Sequence, residues 1–215
     1  MRICGSDSDH HLNLPIPERL NPVSLPRHPI YNESAPQIFH AKSGFELPIN
    51  ARTLNDIVGR ELATVTDARV VAHIQELLVS PNVVLRDWDY GSPGQQYPCW
   101  IVLNDAEHSD TAIGYCEYGF GPRCPWGLLH YADDPQHQSM GMDSGWFPTF
   151  LEAFFDSFAA TRLPIWRIFK AAGDGTRTPL TDEGPWQDTW KRIEALRSHD
   201  PTTRYDCDHS ISYGR

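Results

Sequence analysis

The chain has 215 residues, 40% hydrophobic and 21% charged, a balance that suits a folded body rather than a disordered polymer. Its 18 Lys and Arg against 28 Asp and Glu leave a net charge of −10, which repels phosphate backbones and excludes nucleic acid as an expected partner. The five cysteines are irregularly spaced, the stretch MRICGSDSDHHLNLPIPERL has no apolar core, and no window approaches about 18 uninterrupted apolar residues, so neither a disulfide framework, a signal peptide nor a membrane span is expected. A cytoplasmic location follows as an expectation.

Residues 1–48 carry Pro15, Pro17, Pro22, Pro26, Pro29, Pro36 and Pro48, which break helices and remove ladder donors. An extended arm is predicted there. A single α+β domain is predicted over 49–200, followed by a polar, frayed tail over 201–215. Leu54, Ile57, Val58 and Leu62 fall on one helical face, with Asn50 or Thr53 as cap. A second helix is predicted from Thr66 or Asp67 through Leu78, ended by Ser80-Pro81-Asn82.

The period then changes. VVLRDWDY (83–90), YPCWIVLN (97–104), TAIGYCEYGF (111–120) and WGLLHY (126–131) are β-branched or aromatic runs separated by turn residues. Such short connections leave no room for parallel crossovers, so an antiparallel sheet of four to six strands is predicted. In GMDSGWFPTFLEAFFDSFAA, Trp146, Phe150, Phe154 and Phe158 form one row and Phe147, Leu151 and Phe155 the next. That stripe predicts a helix over 146–160, capped by Asp143 or Ser144, lying across the sheet. LPIWRIFK (163–170) reads as a last strand returning to that sheet. Trp186, Trp190, Ile193 and Leu196 mark a final helix.

The chemistry-bearing candidates are few. No glycine-rich phosphate loop, nucleophile elbow or paired-histidine zinc motif occurs. Cys116, Cys124 and His130 are the best thiol and imidazole set, but their spacing does not signal tetrahedral zinc, and buried thiols in a sheet explain them. Asp87 and Asp89 share one strand face, where such a pair either holds a hard cation or forms an acidic contact surface. Asp105, Glu107, Asp133 and Asp134 are expected at the same sheet ends, and Glu117 stands out in a strand centre. No catalytic residue, metal ligand or cofactor is assigned.

The segments RDWDYG, YPCW, IGYCEYGFGP, PWGLL and GMDSGWFPTFLEAFFDSF together resemble the immunity proteins that accompany bacterial polymorphic and type VI secreted toxins. The resemblance covers about half the chain. It implies a protein that neutralises a cognate toxin by direct occlusion, and the acidic balance fits a basic toxin. Asp87, Asp89, Glu117, Asp133 and Asp134 are the expected partner-binding residues. The alternative reading is a small hydrolase using Cys116, or a metal held near Asp87 and Asp89. The oligomeric state is left open.

Overall fold

A computed structural model describes residues 49–118, 123–130, 139–141 and 145–214. The proline-rich arm over 1–48 and the candidates Asp133 and Asp134 lie outside the described residues. Helix α1, Ala51–Leu62, begins at Asn50, whose carboxamide oxygen accepts the Thr53 amide at 3.0 Å. Leu54, Val58 and Leu62, one turn apart, are its buried stripe. Helix α2, Ala68–Leu77, is capped by Asp67, and Val70 and Ile74 are its buried residues.

Strand β1, Leu78–Trp88, follows α2 with no loop, so Ser80-Pro81-Asn82 lies inside a strand rather than after a helix. The reason is a break in the ladder. Pairing with the next strand runs regularly from Asn82 onward, but its register shifts between Leu78 and Asn82. Pro81 lies in that irregularity, a setting in which a strand tolerates a residue without an amide.

Strands β2, Gln96–Asp105, β3, Thr111–Tyr115, and β4, Trp126–His130, complete the predicted antiparallel meander. Two short strands extend it to six. β5, Ser139–Met140, pairs in parallel with the end of β1, and β6, Trp146–Phe147, pairs antiparallel with the start of β4. The order is β5-β1-β2-β3-β4-β6.

Both faces of this sheet are apolar. Trp100, Val102, Ile113 and Trp126 face α1, α2 and the helix described next, forming the main core. Tyr97, Cys99, Ile101, Ala112, Cys116, Leu129 and Met140 form a smaller core on the other face. Arg86 shares that second face with Val84 and Trp88 and is fully buried, its Nη1 donating to the carbonyl of His130 on β4 at 3.2 Å. Gly114 is the close-approach point beneath it: a Cβ there would lie 2.6 Å from Leu129 Cδ1 and 2.7 Å from Cys99 Sγ. Gly114→Ala is expected to cost about 2 kcal/mol through overpacking, read as a lower urea midpoint with unchanged slope.

Helix α3 is shorter than the aromatic stripe predicts, spanning Phe150–Phe155 with Thr149 as its cap. Trp146 and Phe147 have a better partner in the sheet edge. Gly127 of β4 leaves room for the Trp146 ring, and Trp146 Nε1 donates to the Gly141 carbonyl at 2.9 Å. At the other end the Ser157 hydroxyl donates to the Phe154 carbonyl at 2.6 Å, and the chain tightens into a 3₁₀ turn over Phe158–Arg162. Phe150 and Phe154 are buried as the stripe predicts, worth about 2–3 kcal/mol each. Phe158 is instead 67% exposed.

Residues 163–170 do not return to the meander. Strand β7, Trp166–Ala171, is the centre of a second sheet, flanked by β8, Arg177–Pro179, and β9, Arg204–His209. The predicted frayed tail thus holds a strand. Its alternation is plain once paired: Tyr205, Cys207 and His209 share one face, and Arg204, Asp206 and Asp208 the other. Helix α4, Trp186–His199, lies where its spacing predicts, and Ile193 packs with Ile168 and Tyr205 in a third small core.

Candidate protein-binding surface

The antiparallel register brings the C-terminal end of β1, the start of β2 and the end of β3 to one end of the meander. Asp87 stands opposite Gln96, and Trp100 opposite Tyr115. Pro98 marks where the β2–β3 ladder stops, since its position calls for an amide directed at β3 and it has none. Beyond that point the Cys116 amide donates to the Pro125 carbonyl at 2.8 Å.

Asp87, Asp89 and Glu117, separated by up to thirty positions in sequence, all lie at this end. Asp87 is half-buried and accepts Gln96 Nε2 at 2.7 Å. Asp89 is exposed; its amide donates to the Met140 carbonyl at 3.1 Å and its side chain packs on Gly141. Glu117 is half-buried, and that burial raises its carboxyl above the usual carboxylate range. No cationic side chain among the described residues pairs with any of the three.

Aromatic rings gather at the same end, with Trp88 on the opposite face of β1 from Asp87. Tyr90 meets Trp88 edge-on at 5.9 Å, Trp88 meets Tyr97 at 6.1 Å, and Tyr97 stacks on Tyr118 at 5.6 Å. Tyr97 is buried, whereas Tyr90 is 62% exposed. Burial, and then the Glu117 charge, raise the Tyr118 phenol, which stays a neutral donor at neutral pH. The result is an aromatic row anchored in the smaller core, at the sheet end that also carries the three carboxylates.

The other predicted candidates are placed elsewhere. Asp105 and Glu107 lie at the opposite end of the sheet, and the Asp105 carboxylate is fully buried. It accepts Arg162 Nη2 at 2.9 Å, the Ser109 hydroxyl at 2.7 Å and His108 Nδ1 at 3.1 Å, so it pins the β2–β3 turn to the 3₁₀ segment. Cys116 is fully buried beside Cys99, whose thiol burial pushes well above its usual range. His130 pairs with Thr111, at the far end of the hairpin from Cys116, so no thiol–imidazole couple forms. Among the described residues, no three His, Cys, Asp or Glu side chains converge as a metal site.

Sequence reading sets Trp88 and Tyr90 on the opposite strand face from Asp87 and Asp89, but does not bring in Tyr97 and Tyr118, which reach the row only through the pairing of β1, β2 and β3. No known family, curated protein or solved structure matches the chain. Among the described residues, no helix is long and apolar enough to cross a membrane.

Proposed function

We propose that the protein binds a basic partner protein through this acidic, aromatic end of the sheet, as an immunity protein occluding a cognate toxin does. The gathering of Asp87, Asp89 and Glu117 at the same sheet end as the Tyr90–Trp88–Tyr97–Tyr118 row is the observation that supports it. Aromatics and carboxylates that have no cationic partner among the described residues supply the two ingredients of a protein interface: apolar anchors, and charges that steer an oppositely charged surface. The partner would be neutralised by having its basic surface covered, with no covalent step.

Affinity capture with tagged protein from its own cells, run in parallel at low and high salt, tests the reading. One basic protein retained at low salt and released at high salt is the expected result, because rim charges are screened over about 10 Å at 0.1 M salt. No retained protein at either salt, or retention of an acidic one, overturns it.

A further inference from the structure

A second site of different chemistry lies where α3 and the 3₁₀ segment face the second sheet. A cleft of about 530 Å³ opens there, within the range that holds small molecules. Its walls are aromatic: Phe147, Phe155, Trp166, Trp186 and Tyr213. The exposed Phe158 ring stands among its lining residues.

The polar lining has one sign. Glu152, Asp156 and Asp208 contribute carboxylates, and no Lys or Arg among the described residues lines the cleft. Asp208 is already engaged by Arg177 Nη1 at 2.8 Å. Glu152 and Asp156 are not paired with any cation among the described residues. They sit one helical turn apart, where like charges repel; Glu152 is favoured in the first turn of α3, but Asp156 caps its C-terminal end, where negative charge is least welcome. Local stability therefore does not explain Asp156 beside Glu152, whereas a positively charged occupant would.

The remaining groups fit binding rather than reaction. His209 stacks on Phe155 at 4.1 Å, and its Nδ1 accepts the Ile211 amide at 3.3 Å. Burial lowers its pKa, against the opposing pull of Asp208, so the ring adds no competing positive charge. Cys207 is pushed up to about 11 by burial, with Asp208 adding to the shift, which leaves it a protonated thiol and not a nucleophile.

We propose that this cleft binds a small organic cation of the alkylammonium class, its carbon substituents against the aromatic walls and its charge toward Glu152 and Asp156. Aromatic faces and carboxylates together recognise such a head by cation–π attraction and charge pairing, a combination that an uncharged molecule of the same shape cannot satisfy.

The test titrates the full chain separately with choline, with n-butylammonium and with the uncharged carbon isostere of choline. Calorimetry and the fluorescence of Trp166 and Trp186 give the readouts. Saturable binding of at least one cation is expected, with the isostere of choline about tenfold weaker than choline where choline binds. E152Q combined with D156N is expected to weaken the cation about tenfold while leaving the melting temperature unchanged or raised, since it relieves repulsion. Equal binding of choline and its isostere, an unaffected double variant, or no saturation by either cation overturns the proposal.

Discussion

Arg86→Ala is expected to lower the unfolding free energy by about 3–4 kcal/mol, the largest single effect outside the aromatic core. Arg86 is fully buried and spans from β1 to the carbonyl of His130 on β4, two non-adjacent strands of the meander. Truncation leaves a void the size of a long side chain in the smaller core and removes a donor from a carbonyl. Arg86→Met retains most of the volume and should recover about 1–2 kcal/mol of the loss, separating packing from polar bonding. Urea unfolding followed by circular dichroism measures both. A change below about 1 kcal/mol for Arg86→Ala would show that the guanidinium is not a structural tie.

Reversing the charge at the sheet end carries the second large effect. Asp87→Lys combined with Asp89→Lys is expected to weaken the partner captured at low salt about a hundredfold, chiefly by slowing association. Asp89 is exposed, and Asp87 gives up one hydrogen bond to Gln96, so the double variant should unfold within about 1 kcal/mol of the parent. Glu117→Gln removes one charge without reversal, so its effect on association should be several-fold smaller. Surface plasmon resonance at two salt concentrations distinguishes the cases. Unchanged association rates in the double variant would remove Asp87 and Asp89 from the interface.

What could be read from the sequence divides along physical lines. α1, α2 and α4 declare themselves through periodicity and caps because each buries one face, and the four main strands of the meander through β-branched and aromatic runs bounded by turn residues. The stretch around Trp146 misleads because an aromatic run satisfies helical spacing and edge-strand pairing equally. The choice falls to Gly127, a residue of another strand that makes room for the indole. β9 is hidden by its polarity: alternate residues are charged and only its pairing with β7 shows that Tyr205, Cys207 and His209 face inward. The same limit applies to the surface. Asp87, Asp89 and Glu117 are legible as isolated acids, but their meeting depends on the register of three strands. Asp105 reads the same and is instead an internal anchor, because Arg162, distant in sequence, folds onto it.

The break in the ladder at Pro81 limits how β1 can pair with another chain. The outer border of β1 is otherwise an invitation to another strand, with Val83 and Leu85 exposed alongside it. Pro81 and the register shift around it interrupt that border on one side, and β5 occupies it from Asp87 onward on the other. Among the described residues, the stretch around Val83 and Leu85 is what remains, a short register for a visiting chain to grow along. An apolar edge strand is thereby left little room for strand-by-strand self-association.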